Sequence, residues 1–281
     1  MPSLKRVLAP ALAATVLGGT VLAQGTVPAA ALDLLRPPTD NFQVASFNVL
    51  GGSHQAARSG PRRMTGAVRY LRKHHVAVVG LQEFEPSQYA AFRRDTRGRW
   101  AVVGAPSRSG KSVDYRDAIA YRRSRFQFVS ASSLAIPYFY GDRVNIPVVT
   151  LRSRTTGAAF TMINTHNPAD THGPAQRFRS EATRREVALI KRLRAHGRTV
   201  LLTGDMNEKA SYFCKMTRSG RMHAASGGST GPRCHAPQAN GIDWIFGSRD
   251  VTFRHWTADA ATVSSGVSDH PIVVARVTLP R

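Results

Sequence analysis

Six places in this chain put a carboxylate, an amide or an imidazole at the end of a strand-like apolar run. Asn48 follows Val44-Ala45-Ser46-Phe47, Glu83 follows Val78-Val79-Gly80-Leu81-Gln82, and His166 follows Met162-Ile163-Asn164-Thr165. Asp205 and Asn207 follow Val200-Leu201-Leu202-Thr203-Gly204, and Asp243 stands inside Gly241-Ile242-Asp243-Trp244-Ile245-Phe246. Asp269 and His270 directly precede Pro271-Ile272-Val273-Val274. One such residue is an ordinary wet turn; six of them in a chain with 17 acids form a set. Oxygen donors and imidazoles are what metal binding and acid–base chemistry require, and the rim where strands end is where ligands settle on a sheet. In Asp205-Met206-Asn207 the polar side chains are two apart. In extended backbone they share a face while Met206 turns into the core, so an acid and an amide can address one phosphate. Asp269 and His270 are adjacent and diverge, and Pro271 biases His270 toward extended geometry.

Strands and helices have to hold these residues. Short runs rich in β-branched and aromatic residues predict strands over Phe42–Val49, Val76–Gln82, Trp100–Gly104, Ala118–Arg122 and Phe126–Ser130. Further strands are predicted over Val148–Arg152, Ala158–Thr165, Thr199–Thr203, Ile242–Phe246 and Ile272–Leu279. Pro61 opens a helix with Met64, Ala67, Val68 and Leu71 at i, i+3, i+4 and i+7. A second helix runs from about Gln176 to His196, with Phe178, Ala182, Leu189, Ile190 and Leu193 inward and arginines outward. Gly197 stands where a C-cap glycine belongs. A shorter helix is expected over Ser87–Asp95. Strands outnumber helices and several pairs are close enough for hairpins, which predicts two packed sheets flanked by helices rather than one doubly wound parallel sheet.

The ends and the composition bound the rest. Residues 1–31 carry Lys5 and Arg6, an apolar run from Val7 to Ala23 and small residues at Ala23 and Ala29–Ala31. That is the pattern of a secretory signal peptide, with cleavage after Ala23 or near Ala31. A domain over residues 40–281, exported, monomeric and without stable membrane insertion, is the expectation. Cys214 and Cys234 are the two cysteines, flanking a Gly/Ser-rich segment; in an exported chain they predict a disulfide, and they leave no zinc site built on thiolates. Thirty-three arginines and six lysines give a net charge of +22, which becomes +20 without Lys5 and Arg6. Such a field attracts polyanions: nucleic acid, anionic headgroups or acidic polymers.

Taken in order, Ser46-Phe47-Asn48-Val49, Leu81-Gln82-Glu83, Asn164-Thr165-His166, Thr203-Gly204-Asp205-Met206-Asn207, Ile242-Asp243-Trp244-Ile245 and Ser268-Asp269-His270-Pro271 resemble the endonuclease/exonuclease/phosphatase superfamily, the group of deoxyribonuclease I. The resemblance spans about Phe42 to Leu279. It implies an α/β class fold, a four-layer α/β/β/α sandwich of two packed mixed sheets. It also implies a divalent ion held by Glu83 with Asn48 and Asp269 close by: Mg²⁺, with Mn²⁺ or Ca²⁺ as substitutes. Asp243 would fix the tautomer of His270, Asp205 would orient or deprotonate the attacking water, Asn207 would bind a phosphate oxygen, and His166 would protonate the leaving oxygen. In this branch His166 pairs with an acid from an earlier strand, for which Asp117 and Asp114 are both open. Arg143 is a candidate phosphate clamp.

Substrate is a separate question, because one fold hosts many chemistries. Thr203 before Gly204 departs from the inositol polyphosphate phosphatase pattern, which carries a tryptophan there. The exported sphingomyelinases remain, together with other phospholipase C-like enzymes, and Tyr138-Phe139-Tyr140 could be an aromatic tip that enters a membrane or one on which bases stack. The charge favours nucleic acid over a zwitterionic lipid surface, and DNA is the favoured substrate of the nuclease expected here. A toxin-like protein that merely binds polyanions has no need of an Asp243–His270 pair.

Overall fold

Two β-α-β units set the layout. In the computed structural model, which describes residues 39–107, 109–230, 233–238 and 241–280, strand β1 (Asn41–Asn48) is joined through helix α1 (Gly60–Lys73) to strand β2 (Val76–Gln82), which lies parallel to it. Strand β7 (Ala159–His166) is joined through helix α3 (Gln176–Ala195) to its parallel neighbour β8 (Val200–Asp205). Parallel neighbours need such a crossover, and a helix supplies it. The expected leader over residues 1–31 lies outside the described residues.

The other strands extend each pair by antiparallel pairing. Strands β3 (Trp100–Pro106) and β4 (Val113–Arg122) lie beyond β2, while β11 (Thr252–Asp259) and β12 (Ile272–Thr278) lie beyond β1. The result is a six-stranded sheet in the order β11-β12-β1-β2-β4-β3. In the second sheet β5 (Phe126–Pro137) and β6 (Arg143–Ser153) form a long hairpin beside β7, and β9 (Met222–Ala224) and β10 (Asp243–Ser248) complete the order β5-β6-β7-β8-β10-β9.

Three apolar layers account for four structural ones. Phe42, Val44, Val78 and Ile119 from the first sheet meet Leu151, Phe160, Met162 and Leu201 from the second. Met64, Ala67, Val68 and Leu71 of α1 and Phe92 of α2 (Pro86–Thr96) cover the outer face of the first sheet. Ala182, Leu189 and Ile190 of α3, with Tyr212, Phe213 and Met216 of α4 (Ala210–Arg218), cover the second. Each fully buried side chain of this size stabilises the fold by about 1.5–3 kcal/mol, so the sandwich expected from the sequence is the arrangement that removes all three apolar faces from water.

Between the sheets, beneath the rim, runs a polar seam. Gln82 Nε2 donates to Asn164 Oδ1 at 2.6 Å, and Thr203 Oγ1 donates to the same oxygen at 3.0 Å. Asn164 Nδ2 donates to the carbonyls of Leu81 at 2.8 Å and Ala118 at 3.1 Å. Gly80 makes room for it: a Cβ there would stand 2.1 Å from Thr203 Oγ1 and 2.2 Å from Asn164 Oδ1.

Several expectations are refined. α2 begins at Pro86 with a reciprocal capping box between Glu85 and Gln88. Gly197, at φ +70°, follows α3 as the C-cap glycine. β5 and β6 run well past the predicted Ser130 and Val148. Not all arginines of α3 face outward: Arg179 is buried, donating to Pro168 O at 2.8 Å and pairing with Asp170 at 3.0 Å. Phe178 is half-buried at the edge of a surface cleft and is absent from the core layer. Cys214 on α4 and Cys234 form the expected disulfide, closing a loop across 20 residues.

Candidate active site

Both parallel pairs run out at one rim. Asn48 is the last residue of β1 and Glu83 follows β2; His166 and Asp205 end β7 and β8, opposite one another in register. Asp243 begins β10, paired with Asp205 across the antiparallel ladder. The segment entering β12 brings Ser268, Asp269 and His270 to the same place, anchored by Ser268 Oγ, which donates to Asn48 O at 2.7 Å.

One oxygen is the meeting point. Asp205 Oδ2 accepts from Asn48 Nδ2 at 3.2 Å and lies 3.6 Å from both His166 Nε2 and His270 Nε2. Both contacts are longer than hydrogen bonds. His270 Nδ1 donates to Asp243 Oδ2 at 2.8 Å, which directs Nε2 toward Asp205. Burial pulls the His270 pKa down, but the hydrogen bond and charge of Asp243, with Asp205 and Asp269 behind it, push it up to about 10. Burial pushes Asp243 up to about 6 against the pull of His270. At neutral pH the pair is therefore carboxylate and imidazolium.

Glu83 stands beside this cluster, joined to it by Asn48. Glu83 Oε1 accepts from Asn48 Nδ2 at 2.8 Å, and Oε2 accepts from Gly51 N at 2.9 Å and lies 3.0 Å from His54 Nε2. Burial opposes the charge on Glu83, but these donors, with His166 and His54, outweigh it and hold the carboxyl below its ordinary pKa. Asn48 Oδ1 accepts from Leu50 N at 3.0 Å, so its amide nitrogen, not its oxygen, faces the two carboxylates. Arg63 braces this loop from beneath: it is buried, and Nη2 donates to the carbonyls of Leu50 and Gly51, both at 2.7 Å.

Three of the eight left-handed non-glycine residues among the described ones lie at the rim. Leu50 (φ 52°), Glu83 (φ 56°) and Asn207 (φ 48°) are all left-handed without being glycine. Such residues cost on the order of 1–3 kcal/mol each and persist where the surroundings over-determine them, which is typical of functional sites. Asn207 corrects an expectation. Met206 is buried as predicted, but the left-handed turn removes Asn207 from the extended face it would share with Asp205. Its backbone N–H donates to Asp205 Oδ1 at 3.0 Å and its amide to Asn167 O at 2.7 Å.

The remaining candidates are placed as follows. Asp269 is exposed beside His270, within reach of Ser268 Oγ at 3.4 Å. Asp114 is turned to Arg116 at 2.6 Å. Asp117 is half-buried, yet its Oδ1 is sealed from solvent without a hydrogen-bond partner, and burial raises its pKa well above the ordinary value. Neither acid bonds to His166 among the described residues; Tyr138 is the ring beside it, at 6.0 Å between centroids. Tyr140 is exposed, and Arg143 lines a separate hollow with Ala135, Asp142 and Asn145.

Three residues carry no signal of a role in the sequence: His54 and Asn167 lie in loops without periodicity, and Arg63 is an arginine on a helix, buried under the loop it braces. Sequence reasoning also passed over Glu186, a fully buried carboxylate on α3 that accepts from Thr165 Oγ1 at 3.0 Å and Tyr212 OH at 2.7 Å. Its burial pushes it up to about 7.

Two sets of groups could hold a cation. Among the described residues, Asp205, Asp243 and His270 offer ligand atoms within 4.8 Å of one another. In that set His270 Nδ1 is already bonded to Asp243 Oδ2 at 2.8 Å. Glu83 is held ionised, is partly exposed and shares the Asn48 amide with Asp205, at 2.8 and 3.2 Å, which suits a hard cation completed by water and phosphate.

Comparison with known proteins identifies a family and a fold. The model of the Endonuclease/Exonuclease/phosphatase family matches residues 45–270. An endonuclease/exonuclease/phosphatase family protein from Bacteroides thetaiotaomicron superposes with a TM-score of 0.68 at 18% identity, over 87% of this chain and 100% of that one. A mannosyl-6-phosphatase from Bacteroides thetaiotaomicron gives 0.61 at 16%, over 84% and 99%. TDP2 from D. rerio, complexed with single strand DNA product, gives 0.59 at 17%, over 84% and 98%. At these identities the likeness is one of fold. No curated protein sequence matches the chain closely enough to count as a relative.

Proposed function

The chain belongs to the Endonuclease/Exonuclease/phosphatase family, and on that premise we propose that it is a secreted, divalent-cation-dependent phosphodiesterase that hydrolyses nucleic acid, DNA by preference. The observation that carries the reading is Asp205 Oδ2, reached by Asn48 and by the Nε2 atoms of both His166 and His270. Asp205 is the group that orients a water or takes its proton. His270, kept cationic by Asp243, offers Nε2–H to a phosphate oxygen as negative charge grows there. His166 is placed to return a proton to the leaving oxygen. Asn207 binds a phosphate oxygen through the amide hydrogen that Asn167 does not take. Glu83, with Asn48 and Asp269 beside it, would hold the cation, magnesium before manganese or calcium, and the bound ion supplies Lewis-acid stabilisation of charge on the phosphate.

A polynucleotide is favoured by the net charge of +22, spread over the chain rather than blocked into a tail. TDP2, of the same fold, is described with a single-stranded DNA product, which supports the same choice. The disulfide suits an oxidising, extracellular setting. A monomer is proposed. No helix among the described residues is long and apolar enough to cross a membrane. One observation favours a second reading, a sphingomyelin or phospholipase C-like phosphodiesterase: the exposed ring of Tyr140 at a hairpin tip.

The deciding experiment gives the purified protein supercoiled plasmid, RNA and sphingomyelin in parallel, with Mg²⁺ and with excess chelator. Plasmid nicking that chelation abolishes is the expected result. Turnover of sphingomyelin alone would transfer the site to the lipid reading.

A further inference from the structure

We propose that the cleft between the β5–β6 hairpin tip and the start of α3 is a subsite for one unpaired nucleobase next to the scissile phosphate. The inference rests on the nuclease reading and adds where, and by which face, the polynucleotide is gripped.

The cleft encloses about 180 Å³ and is open to solvent, room for one flat ring. Phe139, Tyr140 and Phe178 supply aromatic walls, and His172 and Arg177 the polar lining. Its parts belong to two segments that fasten each other. Tyr140 OH and His172 Nδ1 share a hydrogen bond at 3.2 Å, and the rings of Phe139 and His172 lie 4.4 Å apart, edge to face. The Arg177 guanidinium lies over the Phe178 ring at 4.5 Å. A Cβ on Gly141 (φ +84°) would come within 3.2 Å of Phe178, so the glycine lets the hairpin close onto the helix. Tyr140 is left-handed at φ 57°, a conformation rare for a bulky residue, and the residue is 74% exposed. A large aromatic held outward in this way buries little of its surface.

Position makes the cleft part of the catalytic rim. From His166 a ladder of rings leads to it: Tyr138 at 6.0 Å, Phe139 at 4.3 Å from Tyr138, His172 at 4.4 Å from Phe139. His166 is the proposed donor to the leaving oxygen, so the base belongs to the leaving side of the cleaved bond. The chemistry selects a base over a lipid. Rings with polar tips and a guanidinium match a π-face edged with hydrogen-bonding groups beside a phosphate. A membrane tip needs a contiguous apolar surface, whereas here Tyr140 is exposed alone, with its hydroxyl engaged by a histidine.

The test uses Asp205→Asn protein, expected to turn over about two to four orders of magnitude more slowly, and short single-stranded DNA with one abasic residue moved along the strand. Fluorescence anisotropy at fixed salt and Mg²⁺ gives Kd. One abasic position should weaken binding roughly 5- to 100-fold, the equivalent of about 1–3 kcal/mol per stacked base. Tyr140→Ala and Phe178→Leu, added to Asp205→Asn, should each lose a similar factor on intact DNA and little more on the strand abasic at that position. Equal losses on both strands, or no loss, overturn the subsite, while plasmid nicking by the wild type leaves the nuclease reading standing. Absence of turnover of both DNA and RNA removes that reading and the subsite with it. Binding of the wild type to sphingomyelin vesicles that Tyr140→Ala abolishes, with oligonucleotide binding unaffected, assigns the tip to a membrane.

Discussion

The two parallel strand pairs end at the same rim but hold their residues by different means. At the end of β7 and β8 the ladder itself does the placing: His166 is opposite Asp205, and Asp205 is opposite Asp243. At the end of β1 and β2 the ladder stops at Asn48 and Gln82, and Glu83 lies one residue beyond, in a left-handed turn. There the support comes from the amides of Leu50 and Gly51, on a loop braced by Arg63. Proton chemistry tolerates little misplacement, and groups on strands are held more closely than groups on loops. A cation, which brings its own waters, can be held by a loop.

The largest expected effect comes from breaking the ladder-held half. Asp205→Asn should lower kcat by about two to four orders of magnitude, read in single turnover on plasmid or oligonucleotide. A loss under tenfold would remove Asp205 from the centre of the site.

Asp243→Asn tests the same half through pH. With His270 at about 10 and Asp243 at about 6, the ion pair spans the interval between. Activity in the wild type should fall below about pH 6 and hold into alkaline solution. In the variant the alkaline limb should retreat toward the ordinary histidine value of about 6.5. Because the folded pKa of His270 is raised, its stabilising contribution is complete below about pH 6.5 and is lost as pH rises through about 10. The wild-type melting temperature should therefore decline over that window more than the variant's. Coincident profiles would mean that Asp243 does not set the charge of His270.

Breaking the loop-held half should act on the cation before it acts on the proton transfers. Glu83→Gln should raise the Mg²⁺ concentration for half-maximal activity about 10- to 100-fold, and calorimetric titration should show the same loss. An unchanged Mg²⁺ requirement would shift the cation to Asp205, Asp243 and His270.

A milder test joins the halves. Asn164→Ala leaves Gln82 Nε2 and Thr203 Oγ1 without their shared acceptor, costing about 1–3 kcal/mol. Melting should drop by about 2–4 °C per kcal/mol, with a several-fold loss of activity. The smallest effect on activity belongs to the disulfide. Reducing Cys214–Cys234 removes a cross-link worth about 3 kcal/mol in the chain-entropy model. Melting should fall while turnover stays within about twofold. A catalytic collapse on reduction would tie α4 to the chemistry.

What the sequence disclosed follows the same division. Residues at the ends of a ladder were legible, because an apolar run bounded by an acid or an imidazole is a local pattern; His166 and Asp205 closing β7 and β8, and Asp243 opening β10, are the instances. What loops and bulges decide was not. β11 escaped because its register slips between Arg254 and Thr257, around a left-handed His255, so no clean alternation survives. α4 escaped because it is nine residues long and lacks a capping side chain. The φ of Asn207 and the reach of His54 to Glu83 depend on contacts across the rim. Arg179 and Glu186 are buried polar residues on a helix whose periodicity reads as charged outside and apolar inside. Their partners, Pro168, Asp170, Thr165 and Tyr212, come from other elements.

The disulfide has a consequence beyond melting. A protease that cut once between positions 219 and 233 would divide the chain into two polypeptides. The first would carry Asn48, Glu83, His166 and Asp205, and the second Asp243, Asp269 and His270. The bond between Cys214 and Cys234 spans that interval, so both pieces stay on one molecule, and neighbouring strands β8 and β10 hold the divided site in register. Such a two-chain molecule stays covalently joined in an oxidising medium and, where thiols are abundant, is held by strand pairing and packing alone.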